Sequence, residues 1–196
     1  CKARNSGISI AKGEYITFCD HDDVYLPRKL EISYDLAQKY HADIVNVGHE
    51  NLFDDGHRFT KGINLTCHNR QEISENIYAI SFDHVSTIWD NLYRYKAFKD
   101  NFYFDSKYTR GQEDINFNFR LLQYARSFVA TKEILYKHII RKSLSTSSKI
   151  HIEVIEGMID AIINYLRCLS SFEIDFSKRN DKNIMVLAKL FRILCV

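Results

Sequence analysis

Residues 14–31 read EYITFCDHDDVYLPRKLE, and this stretch decides the fold. Tyr15, Ile16, Phe18 and Cys19, with Thr17 among them, make a short, mostly apolar run that predicts a buried strand. Three acids follow at once, Asp20, Asp22 and Asp23, around His21. Pro27 then opens a predicted helix, since proline suits the first helical turn. Carboxylates crowded this closely repel one another. At the C-terminal end of a strand, where α/β sheets place ligands, they point to a cation or a substrate. Hard oxygen ligands suit Mg²⁺ or Mn²⁺, which are commonly held by one or two carboxylates plus substrate phosphates. Asp23 also fits a simpler part, an acid favouring the start of the helix at Pro27.

Outward from this turn, NSGISIAKGE predicts a short helix, capped at Asn5 or Ser6 and stopped at Gly13. The helix from Pro27 extends to about Tyr40, with Leu30, Tyr34, Ala37 and Tyr40 or His41 along its apolar face. ADIVNVGHE predicts a strand, FDDGHRF a hairpin with Asp55-Gly56 at its tip, and NRQEISENIYAI a helix. STIWDNLYRYKAF reads as a strand and then a short helix. DINFNFRLLQYA alternates apolar residues early, as a strand does, but Ile115, Phe119 and Leu122 also keep helical spacing, and helix is the preferred reading. EILYKHII predicts a strand and RKSLSTSSK a basic, serine-rich loop. From about Ile150 two amphipathic helices follow, broken near DFSKRND. Strands alternating with helices argue for an α/β sheet.

The 196 residues are 45% hydrophobic and 13% aromatic, enough for a substantial core. A net charge of +2 is too small to argue for nucleic-acid binding. The five cysteines show no CxxC pair and no zinc-like spacing, which fits a reduced, cytoplasmic protein. No apolar run is long enough to span a bilayer, and no signal peptide is recognisable. Cys1 stands where a starting methionine is expected, and the first strand arrives already at Tyr15. A chain that begins after an earlier segment is therefore expected.

Two enzyme families place a DxD pattern after an apolar strand. In phosphatases of the haloacid-dehalogenase type the first aspartate is a nucleophile. In nucleotide-sugar glycosyltransferases of the GT-A fold the acids hold a metal on the donor diphosphate. Here ARNSGISIAKGEYI precedes the pattern, while YLPRKLE, GQED and YKHIIRKSLS follow it in order. Together these segments resemble glycosyltransferase family 2 over roughly residues 2–146. The resemblance implies an α/β fold, a partial GT-A (Rossmann-like) mixed sheet flanked by helices over residues 1–146. An amphipathic helical tail would occupy residues 147–196. The family's opening βαβ unit, which grips the nucleotide base, has no counterpart here. Tyr15–Cys19 is accordingly expected as a parallel strand inside a sheet with one open, apolar edge. His21 also departs from the family, which has a small residue at that place.

By resemblance, Asp20 and Asp22 are the metal and donor acids, with Asp22 the more direct ligand of Mg²⁺ or Mn²⁺. Arg4 would pair with donor phosphate, or be a surface arginine. His138 and Arg141, ahead of an acid-free basic segment, would clamp the diphosphate, unless that segment is only a linker. Asp114 takes the base position, with Glu113 and Gly111 on the acceptor side. The two acids would otherwise merely favour a helix N-terminus. Trp89 resembles an acceptor-side aromatic, although a lone tryptophan is more often core. The implied reaction is inverting transfer of a sugar from a nucleotide-diphosphate sugar, in the first place a UDP-sugar, to a carbohydrate hydroxyl. A role in bacterial surface polysaccharide synthesis, with a saccharide or lipid-linked saccharide acceptor, follows from the same likeness. In NIMVLAKLFRILCV, Ile184, Leu187, Leu190, Phe191 and Leu194 lie near one helical face, and Lys182, Lys189 and Arg192 lie elsewhere. Such a helix packs on the domain or rests on an anionic membrane, the inner face of the plasma membrane in the second case. Two alternatives stand: a Mg²⁺-dependent phosphatase with Asp20 as nucleophile, and a non-catalytic binding domain.

Overall fold

A computed structural model of the chain describes residues 1–84, 86–109, 111–141 and 152–174. In chain order the elements are α1 (Lys2–Ile10), β1 (Tyr15–Thr17), β2 (Val24–Tyr25), α2 (Lys29–Tyr40), β3 (Ile44–Phe53), β4 (Arg58–Lys61) and β5 (Leu65–Cys67). There follow α3 (Arg70–Asp83), β6 (Asn91–Arg94), α4 (Tyr95–Phe98), a 3-10 turn at Lys99–Asn101, α5 (Glu113–Leu122), β7 (Phe128–Ile140) and α6 (Ile152–Ser171).

One mixed sheet of seven strands runs β1-β6-β3-β7-β2, with β4 also on β3 and β5 also on β7. The parallel pair, β3 with β7, is its spine, and the other pairings are antiparallel. The register of the spine shifts around Gly48, where a β-carbon would stand 2.8 Å from the carbonyl oxygens of both Lys132 and Glu133. Only glycine lets the two backbones come this close.

Alternation along the strands sorts their side chains to two faces. Val45, Leu92 and Val129 turn to one face and pack with Ala37 and Ala42, at and just beyond α2. Their neighbours Ile44, Tyr93, Phe128 and Ala130 turn to the other and join the main core. That core takes in Ile73, Ile77 and Ile80 of α3, Phe117, Phe119 and Leu121 of α5, and Ala161, Tyr165, Cys168 and Leu169 of α6. Helices on both faces explain why β3 is buried without a break from Ile44 to His49, polar Asn46 and His49 included.

Several expectations shift. Asn5 and Ser6 lie inside α1, whose N-cap is Cys1, so neither is the cap. The apolar face of α2 is rotated: Leu30 and Tyr34 are exposed, whereas Lys29, Ser33 and Ala37 are buried. Helical spacing allows both phases, and tertiary contacts select the second. β1 ends at Thr17 and is antiparallel, not parallel, to its neighbour; the expected open edge is there, with β6 on one side and no strand on the other among the described residues. The Asp55-Gly56 hairpin forms between β3 and β4, with Gly56 at φ 79° and the Phe53 N–H bonded to the His57 carbonyl. The basic loop after Arg141 and the last amphipathic helix lie outside the described residues. Among the described residues no helix is long and apolar enough to cross a membrane.

Candidate active site

The acid turn leaves the open-edge strand β1, and Asp23 ties it to the spine. The Asp23 carboxylate accepts from Tyr136 Oη at 2.7 Å and from the Ile139 N–H at 2.9 Å, both on β7. Tyr136 Oη also accepts from the Asp20 N–H at 3.3 Å. Burial chiefly raises the pKa of Asp23, while its bonds to Ile139 and Tyr136 oppose the rise. Asp23 is therefore an anchor rather than a helix-start acid, and it leaves Asp20 and Asp22 as the outward members of the turn.

Arg4 gathers the dispersed acids. Its Nη2 donates to Asp20 Oδ1 at 2.9 Å, and its Nη1 donates to Asp114 Oδ1 at 2.9 Å and Glu113 Oε1 at 3.2 Å. The guanidinium carbon lies 5.2 Å from the centre of the Phe104 ring. That ring is fixed by its own backbone, which exchanges two 2.7 Å hydrogen bonds with the Asn5 side chain. Consecutive residues of the ARN segment thus do two jobs, one binding carboxylates and the other setting the platform beneath. Burial disfavours the charge on Arg4, yet Asp114, Asp20 and Glu113 outweigh it and raise its pKa.

Glu113 and Asp114 open α5, where the helix N-terminus favours negative charge. Gly111 and Gln112 hold positive φ, 103° and 70°, to make the turn into the helix. Asn116 Nδ2 bonds the carbonyls of Gln112 and of Gly157 in α6, fixing this turn against α6. Burial pushes the Asp114 carboxyl up to about 7; Arg4 pulls it down, and Glu113, Asp20 and Asp90 push it further up. A carboxylate with a pKa near neutrality is suited to accept a proton.

The remaining expected residues are less concentrated. Arg141 Nη1 lies 3.4 Å from Asp22 Oδ2. His138 is turned toward Asn51, with Nδ1 2.8 Å from Oδ1. Trp89, expected on the acceptor side, is only 3% exposed, stacked on Tyr136 at 4.3 Å and edge-on to His49 at 4.7 Å. It packs in the sheet's polar-aromatic interior and offers no open face to a sugar. Asp20 and Asp22 supply hard oxygen donors, each with a side chain 35% exposed. Such a pair fits an ion that draws most of its ligands from water and a diphosphate. Among the described residues no three His, Cys, Asp or Glu side chains converge to hold a metal by themselves. Tyr136, Phe104 and Lys29 carry no local signal that would single them out. Tyr136 and Phe104 meet their partners Asp23 and Asn5 across 113 and 99 residues, beyond any local pattern.

The solved structures that resemble the chain agree with this architecture. S. aureus TarS in complex with UDP-GlcNAc superposes with a TM-score of 0.65 at 20% identity, over 98% of this chain and 61% of that one. TarS in complex with UDP gives 0.59 at 19% identity, over 87% and 49%. At such identities the likeness is one of fold, and the chain spans about three fifths of the TarS 1–349 chain at most. A 44-residue segment is 48% identical to "Glycosyltransferase GlyG" of Streptococcus pneumoniae, covering 22% of this chain and 15% of that protein. The family model described as "Glycosyl transferase family 2" matches residues 1–137, most of the chain, in the region that carries the acid turn, Arg4 and the Glu113–Asp114 pair. The chain belongs to glycosyl transferase family 2.

Proposed function

We propose that this chain carries the catalytic centre of an inverting glycosyltransferase that uses a UDP-sugar and a saccharide hydroxyl. The observation that carries the reading is the meeting of Asp20, Glu113 and Asp114 on the single guanidinium of Arg4. The donor side and the base are thereby held next to each other. In the reaction, the acceptor oxygen forms a bond to the anomeric carbon as the bond from that carbon to the diphosphate breaks. Asp114 takes the acceptor proton, and the nucleoside diphosphate leaves with the electron pair. One base and one displacement invert the anomeric centre. Arg4 keeps the carboxylates close despite their repulsion. Asp20 and Asp22 would hold Mg²⁺ or Mn²⁺, which when bound supplies Lewis-acid neutralisation of the leaving diphosphate. Arg141, beside Asp22, is placed to meet the same phosphates.

The neighbours' complexes with UDP and UDP-GlcNAc support a uridine nucleotide as the first donor to try. A saccharide or lipid-linked saccharide acceptor, and work at the cytoplasmic face of a membrane, extend the same reading to polysaccharide assembly. The phosphatase alternative is not carried forward, because fold and family are those of glycosyl transferases. The test is a thermal-shift screen of UDP-sugars with Mn²⁺, followed by assay of UDP release. A donor that raises the melting temperature only with Mn²⁺, and is turned over, supports the reading. No binding and no turnover with any donor, in a protein that also carries the family's base-gripping βαβ unit, overturns it.

A further inference from the structure

Lys29 is a charged residue that the proposed reaction does not use. It is only 2% exposed, at the first position of α2. Among the described residues it makes no ion pair. Its Nζ donates to Thr17 Oγ1 at 3.1 Å and sits 4.0 Å from the centre of the Tyr25 ring and 5.7 Å from that of Tyr136. A buried ammonium with no carboxylate in contact is costly, and chains seldom keep one without a use.

The groups around it all lead to the turn. Thr17 Oγ1 donates to the Asn91 carbonyl, holding the end of β1 against β6. Tyr25 Oη donates to the Phe18 carbonyl at 2.8 Å, at the turn's first foot. Tyr136 Oη holds Asp23 and the Asp20 N–H, at its second foot. A cation over a tyrosine ring is attracted by its π face, and it also strengthens the hydroxyl as a donor.

We propose that Lys29 is a positioning residue, a buried cation that polarises Tyr25 and Tyr136 and so fixes both feet of the Asp20–Asp23 turn for an anionic diphosphate. The proposal rests on the donor-binding reading of that turn. Burial lowers the Lys29 pKa to about 8, and Asp90 and Cys19 partly restore it. The polarisation is therefore present at neutral pH and lost as pH rises through about 8. The charged and titratable groups facing Lys29 are Tyr25 from β2, Tyr136 from β7, Asp90 before β6 and Cys19 in the turn.

Lys29→Met removes the charge at similar volume. Removing a buried, unpaired charge should leave the melting temperature at pH 7 unchanged or higher, whereas UDP binding with Mn²⁺ should weaken at least fivefold. A supporting side chain of merely structural value would lower both together. In the wild type, the ¹³Cζ signals of Tyr25 and Tyr136 should shift with an inflection near pH 8 that tracks Lys29 ¹³Cε. That inflection should vanish in Lys29→Met. Tyrosine signals flat through the Lys29 titration, or a variant that melts lower in step with weaker binding, overturn the proposal. A wild-type chain that binds no UDP at pH 7 counts against the donor reading, while the tyrosine signals still decide the role of Lys29.

Discussion

Arg4 Nη1 donates to Asp114 Oδ1 at 2.9 Å, joining the first helix to the fifth across 110 residues of sequence. The same guanidinium reaches Asp20 through its other terminal nitrogen. The site is thus assembled by one cation shared between two acidic segments, neither of which touches the other in sequence.

Arg4→Lys tests whether the fork matters. An ammonium is a point charge and cannot present two planar nitrogens to Asp20 and Asp114 at once. Transfer should fall by at least about tenfold, and the pH at which activity appears should move up, because one ammonium shared between the acids holds ionised Asp114 less well than the fork does. A variant with wild-type activity and an unmoved pH profile would show that the fork is incidental.

Asp114→Asn keeps the shape and removes the proton acceptor. UDP-sugar binding should survive, while transfer falls by roughly two to four orders of magnitude. With the Asp114 carboxyl pushed up to about 7, the wild-type rate should climb as pH rises through about 7, as the base becomes ionised. The residual rate of the variant should lack that limb. Steady-state rates from pH 5.5 to 8.5 separate a base from an acid that merely sits at a helix end.

Most of the order of strands and helices is legible because the longer periodicities and the turn signals, Asp55-Gly56 above all, are local; the very short strands β2 and β5 and the start of β7 at Phe128 carry no such pattern. The acid turn and the Glu113–Asp114 pair could be picked out because motif and order suffice. What sequence could not supply was orientation. Lys29 and Leu30 are neighbours, and helical spacing alone accommodates either one inward; the tyrosine surroundings in space take the lysine. Arg4 was expected to face phosphate, and it faces three carboxylates instead, since nothing local reveals that α5 begins beside α1. Trp89 looked like a sugar platform because an aromatic side chain carries no mark of its burial.

Asp22→Asn addresses the metal. Its carboxylate has one oxygen 3.4 Å from Arg141 and lies 35% exposed, so its loss should cost little stability. Mn²⁺-dependent UDP binding should nevertheless weaken strongly, measured by calorimetry with and without the ion. An unchanged Mn²⁺ titration would remove Asp22 from the metal site.

Asn5→Ala probes the platform under Arg4. It removes both 2.7 Å bonds to the Phe104 backbone and leaves that N–H and C=O without their partner. A loss of about 2 kcal/mol is expected, read as a fall of several degrees in melting temperature. Activity should fall as well, since Phe104 carries the guanidinium. Full stability in the variant would mean that water replaces the amide.

The last expectation concerns stability and pH, and its sign follows from the Asp114 carboxyl alone. Its ordinary value is near 3.8 and its folded value about 7, so the folded chain binds this proton more tightly than the unfolded one. Stability contributed by the protonated group is therefore present below about 3.8 and is lost as pH rises toward 7, after which the loss is constant. Arg4 recovers part of that loss but does not cancel it. Asp114→Asn carries no such proton. Its melting temperature should exceed that of the wild type at pH 8, and the gap should close as pH falls toward 4. A variant less stable than the wild type at pH 8 would show that the Arg4 pair outweighs burial. In that case the carboxyl would lie well below 7, and the acidic limb of the rate profile should move down with it.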